Sequence, residues 1–308
     1  MKEIFKHFAH LAETGKLLAS EPLAPYSSFK IGGPADVFAI PDTQKDLIEL
    51  LIYALKHNIP RFILGKATNL LIGDRGIRGL VISMEGFRKI TRDENFVSAF
   101  AGVSLKELCD FACAEGLSGL EFACGIPGSV GGAVFMNAGA YEGEIQDILY
   151  CSKCIIPDLE HLESSNPILH LKKDEHLFSY RHSALQDRGL IQLSSVFQLI
   201  PKDPALIRQR MVELDAMRND KQPMDMPSAG SVFKRPEGHF TGKLVDDCGL
   251  RGFQIGDAAI SDKHCGFIVN KGNASAKDVL DLIKYVQDTV YNRFGVKLET
   301  EIRIVGEM

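Results

Sequence analysis

Residues 125–140 read Gly125-Ile-Pro-Gly-Ser-Val-Gly-Gly-Ala-Val-Phe-Met-Asn-Ala-Gly-Ala140, and this stretch carries the strongest signal in the sequence. So many glycines and small residues permit positive φ angles and let the backbone approach a flat or phosphorylated ligand closely. The same density carries an entropic cost that ordinary packing rarely justifies. We therefore interpret the segment as a ligand-binding loop.

A second glycine-bearing loop, residues 65–76, reads Gly-Lys-Ala-Thr-Asn-Leu-Leu-Ile-Gly-Asp-Arg-Gly. It follows a predicted βαβ unit: a strand from Val37, a helix with apolar residues at helical spacing from Leu47 to Ala54, and a strand at 62–64. The loop has neither the G-x-G-x-x-G order of a dinucleotide fold nor the G-x-x-x-x-G-K order of a P-loop. Spacing alone leaves a backbone phosphate nest and an ordinary tight loop both open.

The chain after this loop changes pattern twice. From Val97 to Leu199, short predicted strands surround one helix, Ser104 to Glu115, which indicates a second lobe. After Ile200 we predict a helix over 203–218, a loop rich in Pro, Gly and Lys, and a long amphipathic helix over 276–294. The main domain boundary is therefore predicted near Ile200.

Composition excludes several classes of protein. A net charge of -5 over 308 residues argues against a general nucleic-acid binder. No stretch approaches the roughly 20 apolar residues of a membrane span, and seven cysteines without an export signal indicate reduced thiols in the cytoplasm. The C-x-x-C of Cys151 and Cys154 has no second pair at zinc-ribbon spacing, so no metal site is expected. Cys109 and Cys113 share an apolar helical face and are predicted to be core residues.

Basic residues concentrate in the C-terminal third. The run from Pro227 to Pro236 contains two hydroxyl residues, a glycine and the adjacent cations Lys234 and Arg235, and Lys221 precedes it. Such a loop suits an anionic ligand. A solvated charged loop is the equal alternative on spacing alone.

Taken together, these segments resemble the UDP-N-acetylenolpyruvoylglucosamine reductase family, and in particular its shorter, second-type branch. The resemblance runs from Pro25 to Gly306. Besides residues 65–74 and 125–140, it rests on Phe29-Lys-Ile-Gly-Gly-Pro-Ala-Asp36, Ser179-Tyr-Arg-His-Ser183, Ser228-Ala-Gly-Ser-Val-Phe-Lys-Arg-Pro236, His264-Cys-Gly-Phe-Ile-Val-Asn270 and Phe294-Gly-Val-Lys-Leu-Glu-Thr-Glu301. The family's first loop usually reads Gly-x-Gly-Ser-Asn or Gly-x-Ala-Ser-Asn, and Thr68 keeps the hydroxyl of its serine.

The resemblance implies an α+β fold. A two-lobed FAD-binding domain of the vanillyl-alcohol oxidase type would cover residues 1–199, with lobes of about 1–82 and 83–199. A substrate-binding α/β domain would cover residues 200–308. It further implies noncovalent FAD bordered by Gly65, Lys66, Ala67, Thr68, Asn69, Leu70, Gly128, Ser129, Gly131 and Gly132.

The implied reaction is one step of peptidoglycan precursor synthesis, which serves cell wall biogenesis, cell shape and cell division. NADPH reduces FAD, and the vinyl C3 of UDP-N-acetylglucosamine enolpyruvate then takes hydride from flavin N5 to give UDP-N-acetylmuramate. By motif match, Arg181 and Glu301 flank the enolpyruvyl carboxylate and Ser231 protonates C2. Lys221, Lys234 and Arg235 are candidates for the substrate's diphosphate or ribose, and a monomer is expected.

Two alternatives remain open at this stage. One is an oxidase or dehydrogenase of a free sugar or hydroxy acid on the same fold, against which the cationic Ser231 loop speaks. The other is a non-catalytic sugar-nucleotide sensor. Only the second predicts a colourless protein that binds UDP-sugar.

Overall fold

The computed structural model describes residues 2–308 as a mixture of helices and mostly antiparallel sheets, so the predicted α+β class is confirmed. The helices are α1 Lys2–His7, α2 Ala9–Glu13, α3 Gln44–Lys56, α4 Leu105–Ala114, α5 Val130–Phe135, α6 Ile145–Ile148, α7 Leu159–Leu162, α8 Ala184–Asp187, α9 Pro204–Lys221, α10 Thr241–Asp247 and α11 Ala276–Phe294. No helix within residues 2–308 combines the length and apolar character needed to cross a membrane.

The strands are β1 Leu17–Pro22, β2 Pro34–Ala39, β3 Arg61–Leu64, β4 Leu70–Ile72, β5 Ile77–Ser83, β6 Ile90–Asp93, β7 Phe96–Phe100, β8 Leu117–Ser118, β9 Gly139–Ala140, β10 Gly143–Glu144, β11 Leu149–Ile155, β12 Ile168–Lys172, β13 Ile191–Gln198, β14 Ile200–Pro201, β15 Ser228–Ser231, β16 Gln254–Ile255, β17 Ala258–Ile260, β18 Phe267–Asn270 and β19 Arg303–Val305. The predicted βαβ unit is present as β2, α3 and β3, and β3 pairs in parallel with β5.

The chain forms two compact units, each made of separate sequence segments. The first unit contains the chain up to Leu18, Phe38–Lys66 and Leu80–Arg218. The second unit contains Ala19–Val37, Ala67–Gly79 and Asn219–Met308. The division of the sequence into domains at residues 199 and 200 stays a prediction.

An antiparallel five-stranded sheet of order β12-β11-β13-β7-β6 forms the centre of the first unit. Its helix α4 begins at the N-cap Ser104, whose side chain forms a capping box with Glu107, and Gly116 follows with a φ of +67°. These caps satisfy helix-end groups that have no partner inside the helix. As predicted, Cys109 and Cys113 of α4 are buried in the core.

In the second unit, the amphipathic helix α11 covers an antiparallel sheet of order β15-β18-β17-β16. The helix spans Ala276–Phe294, the predicted range. Its apolar face supplies Val279, Leu282, Val286 and Val290 to the core. A parallel pair, β19 with β4, places the end of the chain beside residues 70–72.

Candidate functional site

Within the first unit, Gly65 at the start of the first loop lies close to Ser129 of the second glycine-rich segment. A Cβ atom built on Gly65 would lie 2.8 Å from the hydroxyl oxygen of Ser129. That hydroxyl is the N-cap of α5, where it accepts the Gly132 N–H at 3.3 Å. The glycine at 65 therefore allows the end of β3 to approach the start of α5, and a side chain there would disturb the cap.

The segment that leads into α5 is held rigidly against residues 101–105. Three backbone hydrogen bonds of 2.8 to 3.1 Å fix it: Leu105 N–H to Gly128 O, Val130 N–H to Val103 O, and Gly131 N–H to Ala101 O. A Cβ on Gly131 would lie 2.9 Å from the side-chain oxygen Oε1 of Gln192, so only glycine fits there without a shift. Gly132 is exposed, and a Cβ built on it would meet nothing closer than Ser129 Oγ at 3.5 Å.

The first loop offers backbone donors. Across residues 2–308, the N–H groups of Lys66, Ala67 and Thr68 donate to no protein acceptor. Ala67 has a φ of +47°, a region that normally favours glycine. Consecutive unpaired N–H groups with one residue in the left-handed region form an anion-binding nest. The residues present therefore fit the diphosphate of a dinucleotide such as FAD.

Arg181 lies in the first unit, close to the end of α5. Its guanidinium Nη2 is 3.5 Å from the carbonyl oxygen of Gly139, and its Cζ is 4.9 Å from the ring centroid of Tyr180. Gln186 donates from its side chain both to the Arg181 carbonyl, at 3.1 Å, and to Phe135 O, at 2.8 Å. These bonds join the turn that carries Arg181 to the glycine-rich helix.

Ser231 and Glu301 are brought together in the second unit. The Glu301 N–H donates to the carbonyl of Val232 at 2.8 Å, directly after Ser231. Between Ser228 and Ser231, strand β15 carries one extra residue relative to β18, and Gly230 has a φ of +80°. A bulge of this kind re-aims the side chain that follows it, here that of Ser231. Both side chains are half-buried.

Asn69 connects the first loop to the segment 301–303, which leads into β19. Its side-chain amide donates to the Glu301 carbonyl at 3.1 Å, and its own carbonyl accepts the Arg303 N–H at 2.9 Å. One donor of the predicted FAD residue Asn69 is thus engaged in fixing the backbone at Glu301. Leu70, which follows it, begins β4.

The three predicted substrate cations occupy two elements. Lys221 is the exposed last residue of α9. Lys234 and Arg235 follow β15, and Lys234 forms an ion pair of 3.3 Å with Glu299. Lys234 N–H also donates to Glu299 O at 2.9 Å, and Phe233 forms an antiparallel bridge with Thr300, so the cationic loop begins beside the segment that leads to Glu301.

His264 is linked to the end of the Ser231 strand through Gly266. Its ring Nδ1 accepts the Gly266 N–H at 3.1 Å, and the Gly266 carbonyl accepts the Val232 N–H at 2.9 Å. Burial lowers the pKa of His264, which favours the neutral ring that this acceptor role requires. The His264 to Asn270 motif therefore acts on the site through the backbone.

A buried polar chain in the first unit escaped the sequence analysis. It runs from Gln192 Nε2 to Ser195 Oγ (2.7 Å), Ser152 Oγ (2.6 Å) and His176 Nε2 (2.9 Å), and it ends where His176 Nδ1 meets Lys172 O (2.9 Å). Since a carbonyl only accepts, Nδ1 carries the proton and every hydroxyl donates toward His176. Gln192 Oε1 is the one buried side-chain polar atom without a partner in residues 2–308. The only available signal was a Gln and two Ser within one buried strand.

The sequence also gave no indication that Arg218 lies beside the glycine-rich segment. It lies near the end of α9, and its Cδ would be 3.0 Å from a Cβ on Gly125, the first residue of the glycine-rich segment. Burial lowers the pKa of its guanidinium from the usual value of 12.5, and it still carries a positive charge at neutral pH. A half-buried cation therefore lies beside this segment.

Comparison with known proteins identifies the family of the chain. Residues 35–161 match the model of an FAD binding domain, and residues 222–305 match the C-terminal domain of UDP-N-acetylenolpyruvoylglucosamine reductase. The chain is 46% identical to the reductase of that name from Caldanaerobacter subterraneus subsp. tengcongensis, over 100% of this chain and 97% of the relative. It is 48% identical to the one from Agathobacter rectalis, over 94% of each. The crystal structure of the Thermus caldophilus reductase superposes with a TM-score of 0.78 at 35% identity, covering 94% of this chain and 97% of that one. With this similarity over its full length, the chain belongs to the UDP-N-acetylenolpyruvoylglucosamine reductase family.

Proposed function

We propose that the protein reduces UDP-N-acetylglucosamine enolpyruvate to UDP-N-acetylmuramate with FAD as its cofactor and NADPH as hydride donor. Full-length similarity to named reductases supports this activity. The observation that carries it within the structure is the joining of Ser231 and Glu301 through Val232, next to the Lys234–Arg235 loop. A serine hydroxyl, a carboxylate and two cations thus lie on adjacent segments of the chain.

When bound, FAD supplies the hydride that is added to C3 of the enolpyruvyl group. The residues of the chain then have to stabilise the negative charge that develops at C2 and protonate that carbon. Ser231 donates its hydroxyl proton to C2, and its bulged strand fixes the direction of that donation. Arg181 stabilises the negative charge that spreads into the substrate carboxylate, and Glu301 orients the group from the other flank.

The glycine-rich segments are proposed to hold FAD. The N–H groups of residues 66–68 would receive the diphosphate, and the exposed face of α5 at Gly132 would lie against the cofactor. Such a site depends on glycine because the backbone itself forms the surface. The proposed FAD residues are Gly65, Lys66, Ala67, Thr68, Asn69, Leu70, Gly128, Ser129, Gly131 and Gly132. Lys221, Lys234 and Arg235 are proposed to bind the substrate's diphosphate or ribose.

The decisive experiment separates the two half-reactions of the Ser231→Ala variant. We expect NADPH to bleach its flavin at the wild-type rate, whereas reoxidation by the enolpyruvyl substrate slows by about 100-fold or more, because general acid catalysis typically contributes that much. Ser228→Ala is the matched control, since Ser228 is a half-buried serine of the same strand. Equal slowing of both half-reactions in Ser231→Ala would contradict the proton-donor role.

The same preparation tests the wider proposal. A yellow protein whose flavin is bleached by NADPH and restored by the substrate supports the reductase. A colourless protein that binds UDP-sugar and resists FAD reconstitution would contradict it and favour a sensor. Rapid reoxidation by oxygen, without any response to the substrate, would favour an oxidase.

We further infer that the enzyme acts as a monomer in the cytoplasm, where peptidoglycan precursors are assembled, and so contributes to cell shape and division. The odd number of cysteines, seven, supports a protein with reduced thiols. We also propose residues 1–199 as the FAD-binding domain and residues 200–308 as the substrate-binding domain.

A further inference from the structure

An exposed aromatic ring lies in the loop that follows the Ser231 strand. Phe240 is 62% exposed, more than any other phenylalanine in residues 2–308. Other phenylalanines of the second unit, such as Phe29, Phe233 and Phe267, are buried to 5% exposure or less. The ring of Phe240 is therefore available for contact with a ligand, unlike the rings of these buried phenylalanines.

The exposed ring is held by a neighbouring cation. Cζ of Arg235 lies 3.9 Å from the centroid of the Phe240 ring, and Arg235 Nε donates to the carbonyl of His239 at 3.3 Å. Arg235 thus covers one face of the ring and is anchored to the same loop. With one face covered and 62% of the residue exposed, the opposite face is open to a ligand.

The length of the intervening chain limits the distance between Arg235 and the proposed proton donor Ser231. Phe233 bridges Thr300, and Lys234 N–H bonds to Glu299 O, so the chain is extended from Ser231 towards Arg235. Four extended residues span at most about 14 Å. A sugar nucleotide covers a similar span between its reacting group and its base, because a sugar ring, two phosphates and a ribose intervene.

The chemistry of the pair matches a nucleoside diphosphate. The guanidinium of Arg235 presents a planar fork of donors suited to phosphate oxygens. An aromatic face stacks on a base without needing hydrogen-bond readout. We propose that Phe240, held in place by Arg235, is the stacking surface for the uracil base of the UDP-sugar. This inference rests on the proposed function.

The test compares Phe240→Leu, which keeps the apolar bulk but loses the ring, with Phe240→Tyr, which keeps the ring. We expect Phe240→Leu to raise the KM for the enolpyruvyl UDP-sugar by about 10-fold, the loss typical of one base–aromatic stack. Phe240→Tyr should retain the wild-type KM for the enolpyruvyl UDP-sugar. Bleaching of the flavin by NADPH stays unchanged in both variants.

The second unit offers a matched control. Cζ of Arg293 lies 5.4 Å from the ring centroid of Phe294, which is 39% exposed at the end of α11. Phe294→Leu removes a surface phenylalanine of similar chemistry and should leave the KM unchanged. An equal rise in KM for Phe294→Leu and Phe240→Leu would overturn the proposal, because the effect would then be one of general stability.

Inhibition by UDP and by inorganic diphosphate separates stacking from charge. Phe240→Leu should weaken inhibition by UDP and leave inhibition by diphosphate as it is. If Phe240→Leu weakens inhibition by UDP and by diphosphate equally, or leaves the KM unchanged, the stacking role is overturned. Turnover by the wild-type protein would still support the reductase function in that case. If the wild-type flavin is not reoxidised by the substrate, the proposed function fails first.

Discussion

The substitution Gly131→Ala tests the geometry of the glycine-rich segment most directly. The new Cβ would lie 2.9 Å from Gln192 Oε1 and 3.1 Å from the Cβ of Ala101, closer than ordinary van der Waals contact. The backbone has little freedom to retreat, because Gly131 N–H donates to Ala101 O at 2.9 Å. The Gln192 side chain is also tethered, through Nε2, to Ser195 at 2.7 Å.

Two opposing effects determine how much Gly131→Ala changes the free energy of unfolding. Overpacking of a rigid site typically costs about 1–3 kcal/mol. Replacing glycine by alanine inside a helix returns about 0.5–1 kcal/mol. From the midpoints of these two ranges, we expect the free energy of unfolding of Gly131→Ala to fall by about 1 kcal/mol.

Gly132→Ala is the control, one residue further along α5. Its Cβ would meet only Ser129 Oγ, at 3.5 Å, and the position is exposed. Here the helix-propensity gain acts alone, so stability should rise by about 0.5–1 kcal/mol. Urea unfolding of both apo-proteins avoids the stabilisation that bound cofactor would add.

The outcome that would refute this reasoning is an equal change in the two variants, or no loss in Gly131→Ala. A double variant with Gln192→Ala provides an internal check. If Oε1 is the obstacle, the two substitutions should be less destabilising together than the sum of their separate effects. FAD affinity is measured separately, because Gly132→Ala should weaken it if this face of α5 contacts the cofactor.

Two further predictions concern buried groups away from the cofactor. The Asn270 side chain donates to Phe29 O at 3.1 Å and accepts hydrogen bonds from the Gly272 and Ala274 N–H groups at 2.9 and 3.0 Å. Asn270→Ala should therefore lower the free energy of unfolding, measured by urea titration, by about 2–4 kcal/mol. The control Asn273→Ala, at an exposed position, should leave it unchanged. Burial lowers the pKa of His176, so below about pH 6.5 the unfolded chain binds more protons than the folded chain, and the contribution of His176 to stability is lost as pH falls. The free energy of unfolding of the wild type should therefore drop more between about pH 7.5 and about pH 5.5 than that of His176→Asn. Parallel pH profiles of the two proteins would contradict this prediction.

The sequence predicted those features that local chemistry determines. Ser104 followed three residues later by Glu107 forms the capping box that starts α4. Apolar spacing along residues 276–294 gave the full extent of α11. α9 began near its predicted start and continued past Arg218 to Lys221, because no Gly or Pro stops it earlier.

Features that depend on strand register could not be predicted. Ser152 and Ser195 face each other because β11 and β13 pair in that register, and His176 joins them from a separate turn. The bulge that aims Ser231 exists only relative to β18. The segments that carry these residues are far apart in the sequence, and no tight turn between β11 and β13 sets their register, so the local pattern did not identify these contacts.

Backbone strain was equally invisible, and at Arg181 it bears on mechanism. Its φ of +59° lies in the left-handed region, which costs a non-glycine residue about 1–2 kcal/mol. The conformation is imposed by its surroundings: Ser179 and His182 form a two-way backbone bridge around it, Asn137 donates to Ser179 O at 3.2 Å, and Gln186 donates to Arg181 O at 3.1 Å. All of these residues belong to the first unit. The backbone from which the Arg181 side chain projects is therefore fixed by the fold of that unit before any substrate binds. For the charge-stabilising role proposed for Arg181, this removes one source of reorganisation during the reaction.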